Sequence, residues 1–575
     1  MSLALPNDRA SDSADGVDYD LKSKILSRWL CLNWMNLLDE PEQRDRRSVP
    51  ARGTNLLHKY RMVILLLAVV LLFLLYIDGL STNPPGFYVD ESGIAYNAYL
   101  ISHTGAGEFG GRFPLFFQFY TGGWTQWANP TQIYLLAIPF LIFKPSIWLA
   151  RVYSASWMFA ACLVLGFLAS KISGRRRIGV IVALLALLTP WLFEVSRLVF
   201  ETFFYPMALV LFLVAVYYAQ RKQSWSRMTI GTLVATLMLL TYTYTIGRLL
   251  GPLLAFGLVL FATSRERLIC VAKTWLLFGI TLLPILAFKL SHPEALTQRF
   301  YLISYIKPES PWREIVPKFI RRYLEDFSLI SLLIDGDGNP RHHMPGSLGS
   351  FLAGVFILAI IGLVIVLARH WRDPWWRFIL FGTLVSVVPG ALTQDQFHSL
   401  RLVAYPIFLL LLTVPALQFL IATPTKPQTF AEVADVQPAP KAMSGFARGG
   451  ILFILLLTAV MQAMYFQSVF RREGSQRGYV FDAAYKEVFD AAMALPDRPI
   501  YLVDGTSPGY VHAYWYATVE GRNRAELIHM EKGTRPPMGT LVISSEANCG
   551  NCQVIKRSGE YMLYRSFGLL PYQPR

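Results

Sequence analysis

Long apolar runs separated by short polar stretches recur from Tyr60 to Phe470. A run of about 17–25 residues crosses roughly 30 Å of hydrocarbon as a helix. On that measure the chain is expected to cross about 11 times, near 60–80, 147–170, 178–194, 199–219, 228–246, 249–263, 268–288, 348–368, 376–393, 400–421 and 450–469. The stretch 130–143 is shorter and carries Pro130 and Pro139; it reads as a juxtamembrane or re-entrant helix, which needs protein around its backbone. After the last run the period changes: 482–494 reads as a helix, and 500–503, 539–543, 552–555 and 561–564 as short strands. The fold class expected is an all-α polytopic membrane protein with a small C-terminal α/β domain. Ahead of the first run, 1–20 are polar and acidic and predict disorder. Residues 21–38 interleave Leu, Ile and Trp with Lys22, Lys24 and Arg28, the pattern of a helix lying on an anionic membrane or packed on protein.

Charge sets the direction of threading. If 130–143 does not cross, Lys171 with Arg175, Arg176 and Arg177, Arg221 with Lys222 and Arg227, Arg265 with Arg267, Arg369 with Arg372 and Arg377, and Lys426 with Lys441 and Arg448 fall on one side. Arg44, Arg46, Arg47 and Arg52 lead into the first run on that same side. Basic loops stay in the cytoplasm, so the N-terminus is expected there and the C-terminus outside. The organisation expected is a tail (1–59), a membrane core (60–421) with outer loops 81–146 and 291–347, a Pro-rich cytoplasmic linker (422–448), a last span (449–470) and an outer domain (471–575).

Composition agrees: 54% of the 575 residues are hydrophobic and 16% charged, too few charges for a soluble protein. The formal net charge of +15 lies mostly in short loops between runs, which points away from nucleic acid. Of five cysteines, Cys162 and Cys270 sit in apolar segments as small hydrophobes. Cys549 and Cys552, in Cys-Gly-Asn-Cys, suit a disulfide in a hairpin turn better than a redox site, which would open a helix.

The candidate chemistry begins at 86–92, Gly-Phe-Tyr-Val-Asp-Glu-Ser. Asp90 and Glu91 stand where the chain leaves the first run, where a carboxylate is poorly solvated and is usually kept for binding or chemistry. They would equally cap a helix starting near Ser92, and the heptapeptide leaves both readings open. The topology, chosen on basic clusters alone, brings other polar residues to the same face: Arg197, Glu201, Tyr242, Tyr244, Arg248, Asp335, Asp337, Arg341, His342, His343, Asp395, His398 and Arg401. Snorkelling explains a lone Arg at a span end, and an interfacial belt explains Tyr242 and Tyr244. The run 335–339 opens like a calcium loop but lacks the closing glutamate, so a turn is expected. Outer-loop cations such as Arg299 belong by default to a salt-bridged helical surface.

The succession FYVDESGIAYNAYLISHTGAGEFGGRFPLFF (87–117), SRLVFETFF (196–204), TYTYTIGRL (241–249), LIDGDGNPRHH (333–343) and ALTQDQFHSLR (391–401) resembles bacterial membrane glycosyltransferases of the GT-C superfamily, which includes protein O-mannosyltransferases and aminoarabinose transferases. The resemblance covers about 60–421. It implies transfer of a sugar from a polyprenyl-phosphate donor at the outer face of the bacterial inner membrane. The family's first-loop acid maps onto Asp90, as base or metal-binding residue, with Glu91 beside it. Many relatives carry a basic residue before a Pro-Pro pair, where this chain reads Trp-Ala-Asn-Pro at 127–130. Phosphate binding is then expected from Arg248, Arg341 and Arg401.

The expected reaction is an inverting glycosyl transfer to a glycan, lipid or protein hydroxyl, with a carboxylate as general base and cations on the leaving phosphate. A divalent metal, Mg²⁺ or Mn²⁺, held by Asp90, Glu91 and His343 is a candidate cofactor. Two other classes compete. A transporter or flippase of lipid-linked sugars would show a repeat and midplane charges, and a scaffold would act through 471–575.

Overall fold

A computed structural model describes residues 54–421, 443–546, 549 and 551–567. The tail at 1–20, the amphipathic helix expected at 21–38 and most of the linker lie outside the described residues. Two compact units divide the chain, 1–70 and 71–575. The described part of the first is the start of the helix Thr54–Tyr76, whose apolar side chains from Val63 onward are largely exposed. All that follows concerns the second unit.

Local sequence explains many helix boundaries. Ser146, Ser226, Ser264 and Ser444 each cap a helix, the hydroxyl accepting from the backbone N–H three residues on. Apolar helices stand where the runs predict them: Ile147–Ser173, Arg176–Leu188, Tyr205–Gln220, Arg227–Thr243, Gly247–Gly257, Arg265–Thr281, Ala353–Ile365, Pro374–Val385, Tyr405–Ile421 and Gly445–Glu473. Length departs from the expectation. Four helices, Ile147–Ser173, Arg265–Ser291, Ala353–His370 and Gly445–Val480, are long and apolar enough to cross unaided; a fifth forms if Arg176–Leu188 and Pro190–Ser196, bent by 63°, count as one. The count of about 11 is not reached by this measure among the described residues. Proline is the reason. Pro190, Pro206, Pro389 and Pro406 stand at the first or second position of new helices, where a missing N–H breaks no helical bond although it would break one in a continuous helix, so the runs break near one end into turns such as 197–204 and 392–404. Those turns carry the polar side chains.

The helix Tyr405–Ile421 is almost wholly buried, whereas Leu276, Leu283, Leu290, Phe453, Met461 and Met464 are exposed. This is the division between bundle interior and a lipid-facing surface.

After Val89–Thr104 the chain forms two small hairpins, β1 (Ala106–Gly107) with β2 (Gly110–Arg112), and β3 (Phe117–Phe119) with β4 (Gln126–Ala128), before the helix Pro130–Ile142. The C-terminal region forms a five-stranded mixed sheet of β5 (Ile500–Val503), β6 (Leu527–Met530), β7 (Leu541–Ser544), β8 (Cys552–Ser558) and β9 (Tyr561–Ser566). Its order is β6-β5-β7-β9-β8, with β5 parallel to β6 and β7, and β9 antiparallel to β7 and β8. The helix Tyr510–Glu520 and strand β6 were not expected from the pattern; the helix buries Tyr510–Ala517 on nearly every side, so it shows no amphipathic stripe. Cys549 and Cys552 are joined as a disulfide, with Cα atoms 5.9 Å apart.

One face of this sheet packs a small cluster of its own, Val503, Val542, Met562 and Tyr564, while its larger core is shared. One cluster of buried side chains joins it to Val89–Thr104: Phe87 stacks on Trp515 at 5.5 Å, Tyr96 meets Tyr514 at 5.6 Å, and Ser92 Oγ pairs with His512 Nδ1 at 2.9 Å. The Val89 N–H donates to Asp482 Oδ2 at 3.0 Å. Gly86 has φ +73°, and a Cβ there would collide with the backbone of Phe481 and Ala483; only glycine fits both demands.

Candidate functional site

Asp90 and Glu91 both lie in the first turn of Val89–Thr104. Successive helical positions point about 100° apart, so the two carboxylates face different surroundings. Glu91 turns inward and is fully buried. Its Oε2 accepts from the Tyr88 N–H at 3.0 Å, which caps the helix, and from Arg151 Nη2 at 3.0 Å; its Oε1 accepts from the Val199 N–H at 3.0 Å and Arg151 Nε at 3.3 Å. Arg151, equally buried, also donates to the carbonyls of Pro84 at 2.5 Å and Gly86 at 2.9 Å. A buried charge of this kind survives only fully paired. Glu91 therefore holds the loop in shape, and none of its oxygens faces the space beside Asp90's other partners.

Asp90 is half-buried and faces that space. Its Oδ1 accepts from the Tyr120 hydroxyl at 2.8 Å and Gln126 Nε2 at 3.1 Å. Tyr120 is held at φ +62° between β3 and β4, a conformation that costs a non-glycine residue about 1–3 kcal/mol and that clusters at functional sites. Burial, with the Asp90 carboxylate alongside, pushes the Tyr120 hydroxyl well up, so it stays a hydrogen-bond donor. The Gln126 amide is a relay: its nitrogen serves Asp90, and its oxygen accepts from Arg299 Nη1. Desolvation works against the Arg299 charge, but Asp90, Tyr244 and Glu201 outweigh it and hold the guanidinium above its ordinary pKa. Gln126 and Arg299 carried no signal in the sequence beyond belonging to polar loops.

A second carboxylate faces the same ensemble. Glu201 accepts the Asn129 backbone N–H at 2.6 Å and side-chain Nδ2 at 2.7 Å, while Asn129 Oδ1 accepts from Arg248 Nη2 at 2.7 Å. Asn129 is where relatives are expected to carry a cation. Here the amide bridges Glu201 to Arg248, so the positive charge arrives from another helix. The Arg248 guanidinium also lies 4.8 Å from the Phe116 ring centre.

Arg341 covers the Tyr88 ring at 3.5 Å and donates from Nε to the Val480 carbonyl at 2.9 Å. Arg401 donates to Thr393 Oγ1 at 2.8 Å and to Asp395 Oδ2 at 2.6 Å, and its charge reaches the buried Tyr244. Tyr242 spends its hydroxyl on the Thr281 carbonyl at 2.7 Å and stacks on Phe116.

Other expected residues go elsewhere. Arg197 is buried between Phe193 and Phe470 and donates to the carbonyls of Tyr76, Asp78 and Asn83; it neither snorkels nor faces Asp90. His343 pairs through Nδ1 with Glu194 Oε2 at 2.7 Å and through Nε2 with the Leu348 carbonyl at 2.5 Å. With both His343 nitrogens and both Glu91 oxygens engaged, the metal set Asp90, Glu91 and His343 does not fit a cation. His342 instead pairs with Asp337, and its ring lies 4.5 Å from that of His398. The 335–339 segment is a turn in which Asp337 Oδ1 accepts the Asn339 N–H at 2.9 Å.

No family model matches this sequence, and no curated protein matches it. Solved structures do. ArnT from Cupriavidus metallidurans in the apo state superposes with a TM-score of 0.51 at 14% identity, over 88% of this chain and 98% of that one. ArnT from Cupriavidus metallidurans bound to undecaprenyl phosphate does so with a TM-score of 0.51 at 12% identity, over 88% and 97%. At such identity the likeness is one of fold, and it runs over nearly the whole of both chains.

Proposed function

We propose that this protein is a membrane glycosyltransferase that moves a sugar from a polyprenyl-phosphate donor to an acceptor hydroxyl, with inversion, and that Asp90 is its general base. The observation that carries the reading is the asymmetry of Asp90. One oxygen is fixed by Tyr120 and Gln126 while Oδ2 has no partner among the described residues, and Arg299 reaches the same Gln126 amide. As the acceptor oxygen attacks the anomeric carbon, its proton passes to Asp90 Oδ2 and the bond from that carbon to the phosphate oxygen breaks. The lipid phosphate leaves with added negative charge, and Arg299, Arg248 and Arg341 are the cations assigned to stabilise it. Arg401 is already paired with Asp395 and contributes at longer range. The fold shared with ArnT, one of whose structures holds undecaprenyl phosphate, favours a lipid-phosphate carrier. The basic-loop rule favours the outer face of the inner membrane for this site, with the N-terminus in the cytoplasm and the C-terminus outside.

General-base catalysis is worth about 10²–10⁴ in rate. Asp90→Asn in purified protein, supplied with lipid-linked sugars extracted from a deletion strain and read by mass spectrometry, is expected to lose at least two orders of magnitude of transfer. Its thermal stability should stay close to that of the parent protein. Near-normal turnover by this variant would end the assignment.

A further inference from the structure

Asp337 and His342 lie on the segment between the helices Trp312–Glu325 and Ala353–Ile365, and His398 lies on the turn before Tyr405–Ile421. No step of the proposed reaction uses them. Each offers one ligand atom, and the three atoms lie within 4.8 Å of one another. His342 Nδ1 is 3.1 Å from Asp337 Oδ2, and the two imidazole centres are 4.5 Å apart at 48°. We propose that Asp337, His342 and His398 form a site for one divalent transition-metal cation of the zinc class, which ties these two segments together.

Three observations carry this. Bonds of about 2.0–2.2 Å to histidine nitrogen and carboxylate oxygen separate neighbouring ligand atoms by roughly 3–4 Å, so the trio needs only small side-chain movements to close on an ion. His398 Nδ1 is buried and has no hydrogen-bond partner among the described residues, where an orphaned polar atom costs about 1–3 kcal/mol; ligation, or reorientation of the ring toward the ion, removes that cost. Asp337 is already oriented by backbone, its Oδ1 accepting from Asn339 and its Oδ2 from the Ser399 N–H at 2.7 Å. Ligands held by such outer partners are characteristic of metal sites. Two imidazoles and one carboxylate suit Zn²⁺, Mn²⁺ or Fe²⁺, whereas Ca²⁺ and Mg²⁺ call for oxygen shells. Three protein ligands leave a position for water.

The placement gives the ion a task. His342 adjoins Arg341, which covers Tyr88, and His398 is three residues from Arg401. A bound ion would fix both arginine-bearing segments as one piece. The site stands whatever reaction Asp90 serves.

The test uses the full chain in detergent micelles, with any affinity tag removed, stripped with EDTA, desalted, incubated with zinc chloride alone and dialysed. Elemental mass spectrometry is expected to find about one zinc ion per chain in the parent protein and in Asp90→Asn. Under a fifth of that should remain in His398→Asn and His342→Gln, while His398→Cys, which swaps one zinc ligand for another, should recover it. Zinc should raise the unfolding temperature of the parent by several degrees and that of His398→Asn by less than one. Parent protein that retains no zinc above buffer, or no more than His398→Asn, would overturn the proposal, and the first of these needs no variant to fold.

Discussion

At the scale of single residues, two adjacent carboxylates carry opposite duties. Asp90 keeps an oxygen free and has the Arg299 charge nearby, whereas every lone pair Glu91 can aim at protein is taken by Arg151, Tyr88 and Val199. Removing one partner of a buried ion pair costs about 3–5 kcal/mol, because the other charge is stranded. Glu91→Gln and Arg151→Met are therefore expected to lower the yield of folded protein and its unfolding temperature sharply, and the pair Glu91→Leu with Arg151→Met to recover part of the loss. Asp90→Asn should do neither. Thermal unfolding of the four variants side by side separates a structural acid from a chemical one. Arg151 was legible in principle: an arginine inside the apolar run 147–170 demands a buried partner. The sequence does not say which one, since the partner is 60 positions away.

At the scale of elements, the β1–β2 hairpin and the C-terminal sheet region meet at Glu108. Burial pushes the Glu108 carboxyl up to about 7, against the opposing pull of Tyr510 and Arg524. An unfolded glutamate titrates near 4.3, so the folded state binds the extra proton across that interval. Its contribution to stability is then fully present below the unfolded value and is lost as pH rises toward 7. Melting curves between pH 5 and 8 should show the parent losing stability with rising pH more steeply than Glu108→Gln, and equal slopes would remove Glu108 from the account. Gly86 belongs to this scale too. Gly86→Ala meets both a positive φ and the Phe481 backbone, and should disorder the turn that delivers Asp90. The heptapeptide 86–92 pointed to a helix start near Ser92, but the neighbour that forbids a Cβ at Gly86 is nearly 400 residues along the chain.

At the scale of the whole molecule, residues 471–575 complete the loop that carries Asp90. Deleting them would expose Phe87 and Tyr96 and leave the Val89 N–H and Ser92 hydroxyl without Asp482 and His512. The truncated chain is expected to lose transfer together with protease resistance across 86–130, measured by limited proteolysis and intact-mass analysis. Retained activity would show that loop to be self-supporting. The apolar helices, their sequence positions and four of the five short strands of the C-terminal region were legible because hydropathy and turn chemistry act within a few residues of each other. Tyr510–Glu520 was not, because burial on all sides erases the periodicity by which an amphipathic helix is recognised. Among the described residues fewer helices are long enough to cross unaided than there are apolar runs, for a related reason: hydropathy counts residues, while proline decides where the helix stops.

What local patterning carries about this protein is its class, its apolar helices and the clustering of polar residues in the connecting turns, since each of these depends on neighbours in the chain. Which carboxylate is free and which is buried depended on Arg151. Whether a cation reaches Asn129 depended on Arg248, and the gathering of Asp337, His342 and His398 depended on two segments some 60 residues apart. Those pairings rest on side-chain geometry between distant elements, where the cost of an unpaired buried charge selects one partner and leaves no mark on the residues beside it.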